Sequence, residues 1–197
     1  MQTTFPRLLL NHAAQRPTET AMREKEYGIW QALSWAGLAA LVEQLACGLA
    51  QAGLRRDEHM IVIGANRPRL YATMLAAQSI GAVPIPLYQD AAAPECVFPI
   101  NNADVRFAFA EDQEQVDKLL EIRAQCPQLS NIYFDDPRGL RNYDEPGLLA
   151  LDDLLAAGKA YAAVHKEFLE SEVSRIKPDD VAAMFSVSYT HLPSPRD

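Results

Sequence analysis

The sequence predicts an α/β fold, a mostly parallel sheet with helices on both faces, and three observations carry that prediction. Short apolar runs such as Met60-Ile61-Val62-Ile63 alternate with amphipathic helical stretches through the middle of the chain. Glycine or proline stands at the junctions between them, at Gly53, Gly64, Gly81 and Pro127. An alternating order of strands and helices calls for crossover connections, which are right-handed and lay helices over the faces of one sheet.

Taken in order, residues 5–14 read as a short leading helix closed by Arg16-Pro17, and residues 20–23 and 28–33 as two strands around a polar turn. The stretch 35–52 carries the clearest helix. Ser34 can cap it, and Leu33 can staple to Leu38 across the cap. Leu38, Leu41, Val42, Leu45 and Leu49 form one apolar stripe, and Gly53 supplies a left-handed end against which Leu54 folds back. A buried strand over 60–64 leads to a helix capped by Asn66, with Pro68 in its first turn and Gly81 at its end. Residues 83–87 are extended, and Pro84 and Pro86 delete the amide donors of one side, which predicts an unpaired sheet edge there. The helix over 94–102 contains Pro99, which predicts a kink or an early end. A strand over 105–110 follows, and Asp112 with Gln115 opens a helix bearing Val116, Leu119 and Leu120. The remainder reads as a strand over 131–134, a turn over 135–139, helical stretches over 151–157 and 161–176, and a new buried strand over 181–185.

Composition narrows the function classes. The chain has 197 residues, 49% hydrophobic and 22% charged, which is ordinary for a globular protein. A net charge of −8 with no basic run argues against a nucleic-acid partner. Cys47, Cys96 and Cys126 are scattered and odd in number, as expected of reduced, buried thiols in a cytoplasmic protein. No apolar run approaches the ~20 residues of a membrane span. The expected location is cytoplasmic, with peripheral membrane contact left open.

The search for chemistry is mostly negative. There is no Gly-x-Gly-x-x-Gly after a strand and no phosphate loop with a following Lys. Gly64-Ala65-Asn66 is the nearest strand-to-helix glycine turn, and a plain tight turn outweighs an anion site there. His12, His59, His165 and His191 lack metal-ligand spacing, and Ser34 and Ser188 lack a nucleophile elbow. Asp135-Asp136, Asp152-Asp153 and Asp179-Asp180 read as turn residues and helix starts favoured by the helix dipole. Tyr88-Gln89-Asp90 lies just past a strand end, where ligands bind in such folds, and is the one candidate site. No catalytic or metal-binding residue is assigned.

The joint order of several segments resembles the N-terminal part of the acyl-adenylate-forming, AMP-binding enzymes (the acyl-CoA synthetase superfamily). The carrying residues are Leu33-Ser34-Trp35, Gly64-Ala65-Asn66-Arg67-Pro68, Gly81-Ala82-Val83-Pro84-Ile85-Pro86-Leu87-Tyr88 and Lys177-Pro178-Asp179-Asp180-Val181-Ala182. Tyr88-Gln89-Asp90, the stretch 111–118 and the stretch 133–140 are most similar to the bacterial long-chain fatty-acid–CoA ligases. The resemblance implies a parent enzyme that joins a carboxylic acid to ATP, with Mg²⁺, and passes the acyl group to coenzyme A. Other acid-activating enzymes of the superfamily, and a non-catalytic β-α-β binding module, remain open as alternatives. The family's Gly/Thr-rich phosphate loop with its Lys would follow residue 185, where Ser186-Val187-Ser188-Tyr189 stands instead. The expected division is therefore residues 1–185, an incomplete and inactive N-terminal lobe that binds none of these cofactors, and residues 186–197, a tail resembling translated sequencing adapter.

Overall fold

The structure, a computed structural model, describes residues 3–186. Helix α1 (Phe5–Gln15) precedes a hairpin of β1 (Thr20–Glu26) and β2 (Ile29–Ser34). There follow α2 (Trp35–Ala52), β3 (His59–Ile63), α3 (Pro68–Ser79), β4 (Val83–Leu87), α4 (Ala93–Asn102), β5 (Phe107–Ala110) and α5 (Gln113–Glu121). A 3₁₀ turn (Arg123–Gln125), β6 (Asn131–Phe134), β7 (Leu148–Ala150), α6 (Leu151–Val164) and α7 (Phe168–Arg175) complete the order. The parallel sheet runs β4-β3-β5-β6-β7, and the hairpin forms a separate antiparallel pair.

Alternation along the central strands divides the core in two. Met60, Val62, Phe107 and Phe109 point to a layer made with α1, α2, α3, α6 and α7. Ile61, Ile63, Ala108 and Ala110 point the other way, into a layer made with α4 and α5. Both faces are thus covered, which is why these strands are apolar at every fully buried position. The α2 signals hold: Ser34 Oγ accepts from the Gly37 amide at 3.1 Å, and Gly53 adopts φ 102° with the Leu54 amide returning to Leu49 O at 3.0 Å. Helices α2 and α6 meet at Gly48 and Gly158, where a side chain on either would run into the other helix's backbone.

Several expectations are corrected. The strand expected over 181–185 does not form; its residues make no ladder, and Val181 and Phe185 are 65% and 71% exposed. The reason lies in β4, which is the sheet edge as expected. With Pro84 and Pro86 lacking N–H, its outer side offers only acceptors, and among the described residues the one main-chain bond made to it there is Met184 N–H to Pro84 O, 3.1 Å. Pro99 neither ends nor breaks α4, which runs a further turn to Asn102 with Pro99 buried. Asn66 does not cap α3; its side chain accepts from the Tyr71 hydroxyl at 3.0 Å, and Arg67 holds the cap position without a side-chain bond. β7 was not foreseen, and of the two helical stretches expected over 151–157 and 161–176 the gap at 158–160 is helical while the break falls at 165–167, between α6 and α7. The tail over 187–197, with Ser188 and His191, lies outside the described residues.

Candidate functional site

In open parallel sheets ligands bind beyond the carboxyl ends of the strands, where successive connections leave in opposite directions. Here the chain passes from β3 outward to β4, then crosses back to β5 on the other side of β3. The switch therefore falls between β3 and β5, over the turns 64–67 and 111–112. The ladder continues one residue past the strands: Glu111 N–H donates to Ile63 O at 3.0 Å, and Asp135 N–H to Ala110 O at 3.0 Å. This register sets Glu111 and Asp135 side by side at the sheet's end.

A cleft of about 860 Å³ opens above them, roofed by the hairpin. Its floor is built on charge. Glu111 accepts from the Ala65 amide and from Arg67 Nε (2.6 Å for the latter), and Arg67 also reaches Glu24 of β1 at 3.4 Å. Gly64 makes this possible, since a Cβ there would lie 2.5 Å from Glu111 Cβ. Arg69 pairs with Asp135 and, at 2.7 Å, with Asp152 at the start of α6. Arg67 stands at the N-cap of α3 and Arg69 in its first turn, on either side of Pro68, which fixes the helix start. Burial opposes their charge, but the paired carboxylates outweigh it and raise both guanidinium pKa values. Burial raises the Asp135 carboxyl above its ordinary range despite Arg69, whereas hydrogen bonds from Arg138 lower that of Asp136.

The floor thus keeps its arginines fully paired and carries an excess of carboxylates. Each arginine is shared between two carboxylates, and Glu111 occupies the Ala65 amide in the turn before α3 together with the Arg67 guanidinium. These residues do not fit a triphosphate or its Mg²⁺, and among the described residues no group of three or more His, Cys, Asp or Glu is placed to hold a metal. Tyr88, Gln89 and Asp90 lie past the end of β4, exposed, and line neither this cleft nor the groove described next; the Gln89 carbonyl accepts from Lys118 Nζ. That groove, about 650 Å³, runs along the β4 edge between the start of α1 and residues 176–184. The three thiols are free and buried, and burial pushes Cys47 and Cys96 up to about 11, so they are not nucleophiles at neutral pH.

The sequence alone did not reveal the cleft. Its residues come from the hairpin, α2, the start of α3, α6 and the turns after β5 and β6. The available signal was an acid directly after each of two strands, Glu111 and Asp135, with Arg67 and Arg69 flanking Pro68.

The family pattern of the AMP-binding enzymes matches residues 9–189, and the chain belongs to that family. It is 22% identical over 183 residues to the long-chain-fatty-acid–CoA ligase FadD15 of Mycobacterium bovis, covering 93% of this chain and 29% of that protein. It is 38% identical over 84 residues to the indoleacetate–CoA ligase of Aromatoleum aromaticum, covering 43% of this chain and 16% of that protein. The crystal structure of the anthranilate CoA ligase AuaEII with anthranoyl-AMP superposes with TM-score 0.68 at 16% identity, over 77% of this chain and 27% of that one. The chain thus spans less than a third of each of these proteins. Among the described residues no helix is long and apolar enough to cross a membrane.

Proposed function

We propose that this chain is the N-terminal lobe of an ATP-dependent acid–thiol ligase. The parent activates a long-chain fatty acid as its acyl-adenylate and transfers the acyl group to coenzyme A. The observation that carries the reading is the family match over residues 9–189. The likeness to FadD15 over 93% of the chain supports the fatty-acid substrate. A second reading, an aryl-acid substrate, is favoured by the 38% identity to indoleacetate–CoA ligase. ATP, Mg²⁺ and coenzyme A are assigned to the parent in either case, a reading the AMP-binding family match supports.

The lobe alone is inactive in this proposal, and the tail over 186–197 is not native. ATP–pyrophosphate exchange with palmitate by the 197-residue chain is expected to stay at background; exchange above background overturns the inactivity. For the parent, thioester formation compared between palmitate and indoleacetate decides between the two acids. Re-sequencing the locus checks the tail, since a genomic stop codon directly after Asp197 would make those residues native.

A further inference from the structure

We propose that the β1–β2 hairpin is a strap over the cleft, hinged at its base and held down by charge at two points: Glu24 on Arg67, and Glu26 toward Arg138. The base is fixed by packing, with Met22 and Leu33 against the core and the Trp35 amide bonded to Glu19 O at 3.0 Å. Farther out, among the described residues, the hairpin strands pair only with each other. Its tip is solvated, Tyr27 being 85% and Trp30 62% exposed.

The turn is stiff. Tyr27 and Gly28 both take positive φ (48° and 80°), the two-residue geometry that matches strand twist, so the ribbon moves as one body. Between hinge and tip, Glu24–Arg67 at 3.4 Å is the one ion pair from the hairpin strands to the sheet's end among the described residues. Glu26 and Tyr27 line the same cleft as Arg138, on the turn after β6. Among the described residues Arg138 has Asp136 as its sole ion-pair partner within 4 Å, and the Glu26 carboxylate adds attraction from across the opening. A strap held in this way opens as salt shortens the Debye length from ~10 Å at 0.1 M to ~3 Å at 1 M.

Pulsed dipolar spectroscopy on the full 197-residue chain tests this, with spin labels at Ile29→Cys and Arg141→Cys; the native thiols are buried and escape labelling. A single short distance is expected at low salt, with a longer population growing in 1 M NaCl. Glu24→Gln and Arg138→Glu should each raise the long-to-short ratio about threefold, the range open to exposed ion pairs. Adding Glu26→Lys to Arg138→Glu should restore the short distance. A distribution unchanged by salt and by these variants overturns the strap, as does failure of the charge swap to restore it. If Glu24→Gln fails to fold, the salt titration of the unsubstituted labelled chain decides alone.

Discussion

Asp135 is enclosed at the end of β6 beside Arg69, whereas Asp136, one residue on, is more open and chelates Arg138. Their protonation affects the fold in opposite senses. The folded pKa of Asp135 lies above the unfolded value of about 3.9, so its contribution to stability is present below that value and is lost as pH rises through the folded one. Asp136 is depressed, so its contribution is present above about 3.9 and is lost as pH falls through its folded value. Carboxyl-carbon NMR on acidification should show Asp135 taking its proton first and Asp136 well after it. Simultaneous titration of the two would contradict the cleft geometry. Reading these acids as turn residues was right about the backbone and silent about their partners. Arg69 arrives from a helix 66 positions earlier, and pairing at that range leaves no local trace in sequence.

Between elements, the contact of α2 with α6 rests on two glycines. Gly158→Ala would place a methyl in the Gln44 carbonyl, so the helices must separate. A stability loss of ~1–3 kcal/mol is expected for such overpacking, read as a lowered melting temperature; an unchanged melt would show that the helices already have slack. The elements most legible in the sequence carry their own end signals. Helix α2 is the example, with its Ser34 cap and Gly53 terminus. β7 carries none: Leu148–Ala150 is three residues long and becomes a strand by pairing with β6. The stretch 181–185 shows the converse. It is apolar enough to read as a strand, yet the edge beside it has lost two donors to Pro84 and Pro86, and sheet formation is a property of the pair.

At the scale of the whole molecule, β3 and β5 serve both cores, alternate residues going to each. The two layers cannot come apart separately without exposing the sheet between them. Cys47 sits on α2 under one face, and Cys96 and Cys126 lie in the layer on the other. With all three buried, a thiol reagent at pH 8 should react with them together, in one denaturant transition. Reaction of Cys96 and Cys126 at lower denaturant than Cys47 would show that the layers unfold independently. The layered architecture was visible from the order of elements because strand–helix alternation permits few arrangements. The cleft was not, since it exists only once the switch between β3 and β5 has been made.

Glu111 gives that cleft an unusual chemical economy. Its carboxylate is tethered to the turn it occupies, so it competes for the Ala65 amide and Arg67 at an effective concentration on the order of millimolar or more, whatever the solution contains. A free anion reaching the Ala65 amide or Arg67 must displace an acid that never diffuses away. The strongest hydrogen-bond donors at the sheet's end therefore behave as an already liganded site, and guests of the cleft are selected by what remains: shape, the hairpin overhead, and the outward-facing charges of its rim.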